Sequence, residues 1–120
     1  MRKKKFNIIK STSHGIEGLL EVLNNETPLQ IELALFVGAT ALIAMLDISN
    51  ISKAALFFSM FPIIIAEVVN SAIERAVDLV TLEYNEMAKK AKDAGAAVVL
   101  ISVVFTFLVW TAVLMSEFVL

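Results

Sequence analysis

Apolar positions along this chain recur first at helical spacing and then in unbroken runs. Between about Phe6 and Leu23, Ile8, Ile9, Ile16, Leu19, Leu20, Val22 and Leu23 fill one half of a helical wheel, while Asn7, Lys10, His14, Glu17 and Glu21 fill the other. That pattern predicts an amphipathic helix over about 5–24 that lies on a membrane surface. Asn24-Asn25-Glu26-Thr27-Pro28 then supplies an asparagine and proline break. Beyond it come three stretches, each able to provide the roughly 20 mostly apolar residues that a bilayer span needs. The first covers about 29–47, with Glu32 near its start and Asp47 at its end. The second covers about 51–83: it is apolar from Ile51 to Ala66 and continues as a helix with an acidic face through Val80. The third covers about 93–117 and holds no charge in the 23 residues from Ala94 to Ser116. Pro62 lies inside the second span and is expected to kink it, a feature that membrane helices tolerate when neighbours satisfy the freed carbonyl.

Composition agrees with this reading. Hydrophobic residues make up 58% of the 120 and charged residues 18%, with a mean hydropathy of +0.81. A soluble domain of this size needs far less apolar character, so the expectation is one all-α membrane domain over residues 1–120. Cysteine is absent, which removes disulfides and thiolate metal sites and leaves the redox compartment open. The basic start leads into a polar amphipathic stretch instead of an apolar core, so no cleavable signal peptide is expected. Net charge is −2, yet its distribution is informative: Arg2, Lys3, Lys4 and Lys5 form one basic cluster and Lys89, Lys90 and Lys92 another, whereas the link from Asp47 to Lys53 carries a single lysine. By the positive-inside tendency the amino end is cytoplasmic and the carboxyl end outside.

The second span carries the chemistry. No charge occurs among the 13 residues from Ala54 to Ala66, and then Glu67, Asn70, Glu74 and Asp78 follow on one helix. At about 100° per residue the three acids fall within roughly 20° of one direction, with Asn70 roughly 60° aside. Ionisable groups at such a place are functional candidates by default. The topology gathers Glu26, Glu32, Glu74, Asp78, Glu83, Glu86, Lys92 and Asp93 at the cytoplasmic interface, with Glu67 about 10 Å of helical rise deeper than Glu74.

Three kinds of chemistry fit these acids. Oxygen ligands suit magnesium, with Glu26 and Glu74 as plausible ligands, and a desolvated Glu67 among Ala66, Val68 and Val69 suits a general base. Acids within spans also serve proton or ion transport, and a polar interface between subunits is the structural alternative. Spacing alone ranks enzyme and transporter evenly. Neither G-x-x-x-x-G-K-[ST] nor G-x-G-x-x-G occurs, and the glycines stand scattered at 15, 18, 38 and 95. His14 reads as a solvated or headgroup-facing residue, Trp110 and Tyr84 as interfacial anchors or packing residues, and the Lys89 to Lys92 run as a topogenic, headgroup-binding cluster.

Glu67-Val68-Val69-Asn70-Ser71-Ala72-Ile73-Glu74, then Val77-Asp78, Glu83-Tyr84 and Ala91-Lys92-Asp93-Ala94-Gly95-Ala96-Ala97-Val98, resemble the signature of the small bacterial integral-membrane diacylglycerol kinases. The resemblance extends over nearly the whole chain. It implies a homotrimer of three-span subunits in the bacterial inner membrane, with active sites shared between neighbours, that transfers the γ-phosphoryl group of MgATP to diacylglycerol and yields phosphatidic acid. Glu67 matches the general base, and Asn70 and Asp78 match further catalytic positions. Glu26 and Glu74 match the carboxylates that hold the metal on the nucleotide. Glu83, Tyr84, Asn85, Lys92 and Asp93 match nucleotide contacts, and Glu32, Glu67 and Ala96 match positions against the lipid substrate. Nucleic acid is not among the implied partners.

Departures from the pattern fall mainly at the amino end. Asn7 stands where relatives often carry arginine, Ile31 where many carry a polar residue, and Thr27-Pro28-Leu29-Gln30 replaces a commoner aromatic and basic pair; Asn85 stands where histidine is frequent. Undecaprenol kinase, a related branch with the same machinery, is the near alternative, and a small proton or ion transporter the distant one.

Overall fold

The computed structural model describes residues 5–120, so Arg2, Lys3 and Lys4 of the first basic cluster lie outside the described residues. Five helical segments follow one another: α1 (Ile8–Asn25), α2 (Thr27–Met45), α3 (Asn50–Ser59), α4 (Phe61–Val80) and α5 (Glu86–Phe118), and no strand occurs among the described residues.

Capping and proline decide where these helices start and stop. The Asn7 side chain accepts hydrogen bonds from the backbone N–H groups of Ile9 (3.0 Å) and Lys10 (3.3 Å), which sets the first helical residue at Ile8 instead of near residue 5. A helix running on through Pro28 would lack the N–H that bonds the Asn24 carbonyl, and the ring would collide with that carbonyl. The chain therefore breaks at Glu26 (φ −113°, ψ 109°), and α2 starts at once with Pro28 in its first turn. The expected five-residue break is a hinge of one residue.

Pro62 has the same effect in the second span. Met60 separates α3 from α4: its N–H bonds the Phe57 carbonyl at 3.3 Å, and the Ile63 N–H bonds the Met60 carbonyl at 3.3 Å. The tightened turn frees the Ser59 carbonyl, and Thr106 of α5 shares its hydroxyl between Ser59 O (2.7 Å) and Ser102 O (3.0 Å). A neighbouring helix thus satisfies what proline released. Met60 itself keeps right-handed helical angles (φ −84°, ψ −21°), so α3 and α4 continue as one 31-residue path.

The helix α5 is longer than the uncharged run. Asn85 accepts a hydrogen bond from Ala88 N at 3.0 Å and so starts it at Glu86, and the pairs Glu86–Lys90 (3.3 Å) and Lys89–Asp93 (2.6 Å) support its charged opening turns. Its 33 residues reach about 50 Å, so those turns project past a hydrocarbon layer of roughly 30 Å.

Three paths, Thr27–Met45, Asn50–Val80 and Glu86–Phe118, are long and apolar enough to cross a membrane. Between them Ile43, Leu56 and Met60 form a core with Trp110, Val113 and Leu114 around it. Phe36 of α2 meets the edges of Phe57 (5.3 Å) and Phe61 (5.1 Å). At the end away from α1, the Glu117 carboxylate accepts hydrogen bonds from Ser49 Oγ (2.9 Å) and Ser52 Oγ (2.5 Å), tying the end of α5 to the start of α3. Outward-facing Leu100, Ile101 and Phe107 are exposed, an arrangement that lipid solvates and water does not. The chain is a multi-pass membrane protein.

Candidate active site

Burial rises inward along the acidic face of α4. Asp78 is exposed, Glu74 half-buried, and Asn70, Ser71 and Glu67 are buried, with Glu67 only 7% exposed. Glu32 reaches Glu67 from α2: the two carboxylates stand within hydrogen-bonding reach of one another. One oxygen of Glu32 is buried and has no protein partner. Asn70 offers its Nδ2 to Glu74 Oε1 over a long 3.4 Å, while its buried Oδ1 also lacks a partner. Polar groups so desolvated are costly unless something meets them. Asn70 can sit there because the facing residue on α5 is Gly95; a Cβ at that position would stand 2.6 Å from Asn70 Oδ1.

Charge gathers at the end of the bundle where α4 turns into α5. Lys92 Nζ donates to Asp78 Oδ1 at 2.6 Å, and Lys89 Nζ to Asp93 Oδ2 at 2.6 Å. A shallow cavity of about 270 Å³ opens beside them, lined by Thr81, Glu83, Tyr84, Asn85, Lys92 and Asp93 among others. Glu83 and Tyr84 are exposed in the connector, and Asn85 spends its side-chain oxygen on capping α5. Asp78 therefore stands as the partner of Lys92, away from the buried Glu67.

On the other side of α4, Arg75 bonds Glu21 of α1 through Nη1 and the hinge residue Glu26 through Nη2, the latter at 3.0 Å. Neither Arg75 nor Glu21 stood out from spacing. A signal existed, however: Arg75 is the only basic residue between Lys53 and Lys89. Its partners lie 54 and 49 positions away, on a helix whose placement the sequence does not state.

A larger groove, about 520 Å³, runs down the membrane face between α2, α4 and α5. Its walls include Leu35, Phe36, Ile63, Val103 and Phe107, and Glu32 is its one carboxylate. Trp110 lines it with its Nε1 buried and unpartnered, a packing role and not that of an interfacial anchor. Ala96 is exposed on α5 and lines neither this groove nor the charged cavity. His14 is exposed on α1, its Nδ1 3.8 Å from Glu17.

Magnesium can be tested against the donors present. Among the described residues no three metal-ligating side chains converge, so the protein supplies at most a carboxylate pair. Glu26 gives one oxygen to Arg75 and keeps the other, and Glu74 is engaged only by the long contact from Asn70. Hard oxygen donors in that number suit an ion that takes its remaining ligands from phosphate and water. The residues fit.

Residues 13–114 match the sequence model of the family described as prokaryotic diacylglycerol kinase. The diacylglycerol kinase of Escherichia coli (strain K12) is 34% identical over 111 residues, covering 92% of this chain and 91% of that protein. The enzyme of that name from Haemophilus influenzae is 31% identical, covering 90% and 92%, and that of Pseudomonas aeruginosa 29%, covering 91% and 89%. With a family match across most of its length and a carboxylate pair whose Glu67 is buried, the chain belongs to the prokaryotic diacylglycerol kinase family.

Proposed function

We propose that this protein phosphorylates diacylglycerol with ATP to give phosphatidic acid at the cytoplasmic interface of the inner membrane. The observation that carries this reading is the Glu32–Glu67 pair: Glu32 of α2 lines an apolar groove, and Glu67 shares α4 with the acids that lead to the charged end. A diacylglycerol lies with its acyl chains along that groove and its hydroxyl at the carboxylates. Family membership supports the reaction, and the roles that follow are the ones this geometry favours.

Glu67 accepts the proton of the lipid's primary hydroxyl as its oxygen bonds to the γ-phosphorus and the bond to the bridging oxygen of ADP breaks. Glu32, unpartnered at one oxygen, orients that hydroxyl. Asn70 holds the α4–α5 contact beside the reacting groups, with Gly95 giving it room. Lys92, fixed by Asp78, neutralises phosphate charge, and Glu83, Tyr84, Asn85 and Asp93 border the cavity that takes the nucleotide. Glu26 and Glu74 would hold a magnesium ion, which when bound neutralises charge on the β- and γ-phosphates. Positioning and charge neutralisation are most of what phosphoryl transfer asks of a protein, so the lack of a phosphate loop in the sequence is no obstacle.

The whole of residues 1–120 acts as a single membrane domain, with α1 on the membrane surface. Orientation is supported by Lys89, Lys90 and Lys92 at the same end as α1, against Lys53 at the other, which puts the amino end in the cytoplasm. Assembly as a homotrimer with shared sites is supported by the family resemblance.

The test is a lipid-kinase assay: purified protein in detergent or bilayer, MgATP, and either diacylglycerol or undecaprenol, reading phosphorylated lipid. Diacylglycerol is the expected acceptor. Preference for undecaprenol would correct the substrate, and phosphorylation of neither lipid would sink the kinase reading.

A further inference from the structure

Arg75 emerges from α4 one residue beyond Glu74, about 100° around the helix, and so faces α1 and the hinge instead of the acid face. Its guanidinium forks. One arm takes Glu21 on α1 and the other takes Glu26, the single non-helical residue between α1 and α2. An exposed ion pair by itself contributes little. Here one carboxylate lies on α1 and the other on the one-residue hinge itself, so a planar donor that binds both fixes the direction of α1 and the direction of the Glu26 side chain together. Lysine, a point charge, cannot bridge the two in this way.

Glu26 is also one of the two carboxylates assigned to the metal. With one oxygen on Arg75, its other oxygen is left for an ion. We propose that Arg75 is a positioning residue that clamps the surface helix and the Glu26 hinge onto α4, presenting Glu26 to the metal–nucleotide complex. The metal half of this inference rests on the kinase reading above; the clamp half does not.

The chain has no cysteine, so Ser13→Cys with Leu79→Cys places two spin labels, one on α1 and one on α4. Labelled full-length protein is diluted into unlabelled protein, so that only distances within one chain are read. The otherwise native pair gives one narrow distance, and Arg75→Gln and Glu21→Gln each broaden it. Binding of Mn²⁺ with a non-hydrolysable ATP analogue, followed by the loss of the free-ion resonance, weakens about tenfold in Arg75→Gln, the size of one charge-assisted hydrogen bond. Loss of a cation also disfavours a complex whose own charge is negative, which adds to the same sign. KM for MgATP rises by about the same factor while kcat stays within about twofold, and Arg75→Lys recovers part of the affinity but not the narrow distance.

Unchanged distances in Arg75→Gln would overturn the clamp. Tighter Mn²⁺ binding would make Arg75 a competitor of the metal, and a joint fall of kcat and melting temperature with Mn²⁺ affinity intact would make it a structural residue; either result overturns the positioning role. If the wild-type chain phosphorylates no lipid, the kinase reading fails, while the distance measurement still decides the clamp.

Discussion

Gly95 of α5 faces Asn70 of α4 so closely that a single added carbon would stand 2.6 Å from the asparagine's side-chain oxygen, and 3.4 Å from Ile73 Cδ1. Real Cβ atoms do not approach an oxygen that nearly, so either Asn70 or the whole of α5 must move to admit one. Asn70 is buried, sits one turn from both Glu67 and Glu74, and donates to Glu74. The interhelical distance and the site are therefore set at one point.

Gly95→Ala tests that point against an opposing effect. Alanine in a helix interior is favoured over glycine by about 0.5–1 kcal/mol, so a position with spare room would gain stability. Here overpacking costs about 1–3 kcal/mol and the net sign reverses. The variant is expected to melt earlier in detergent and to lose lipid-kinase activity. Gly38→Ala, with nothing near its Cβ, is the control and keeps both. Equal stability of the two variants would refute the contact.

Glu67→Gln and Glu74→Gln separate the two roles on α4. Glutamine keeps size and hydrogen bonding at the buried position but cannot accept the hydroxyl proton, so Glu67→Gln is expected to abolish turnover while MgATP binding stays close to native. Glu74→Gln removes a charged oxygen donor from the half-buried position and is expected to weaken MgATP binding. Calorimetric titration of nucleotide beside turnover measures both. Equal loss of binding in the two variants would end the division of labour.

Asp78 carries a narrower expectation. Its carboxylate accepts from Lys92 at 2.6 Å, and both side chains are nearly half exposed, so screening limits the pair to under about 1 kcal/mol. Asp78→Asn should raise KM for MgATP by no more than about fivefold and leave kcat near native, because only the aim of Lys92 is loosened. A collapse of kcat with KM unchanged would place Asp78 in the chemistry itself.

The parts of this site that repeat along one helix were readable in the sequence, and the parts that depend on a second helix were not. Glu67, Glu74 and Asp78 share a face by periodicity, and a charge-free run before them marks the depth of the first. The hinge at Glu26 and the break at Met60 follow from Pro28 and Pro62, although the number of unwound residues does not. By contrast, Glu32 meets Glu67 only because α2 is rotated to bring them together, and α2 is apolar on nearly all sides, so no stripe announces its rotation. Arg75 finds Glu21 and Glu26 for a similar reason: the direction of α1 is set by the backbone angles of one residue. Asn85 shows the other failure, since one residue type serves equally as a ligand and as a helix cap, and here its oxygen caps α5.

Thr106, which lines the apolar groove, offers a test of the fold that is read through stability and not through turnover. Its hydroxyl reaches across from α5 to the Ser59 carbonyl at 2.7 Å, the group released where Pro62 interrupts the second span. Thr106→Val keeps the shape and removes the donor, leaving a carbonyl unsatisfied where no water is at hand to replace it. Hydrogen bonds between membrane helices are worth about 0.6 kcal/mol on average and up to about 1.7, and this one should lie toward the upper end because its acceptor has lost its own helical partner. Thr106→Ser, which restores the hydroxyl, should recover most of the stability even though it deletes a methyl group. Denaturation in mixed micelles measures the order of the three proteins, and a valine variant as stable as the parent would mean that the Ser59 carbonyl finds another donor.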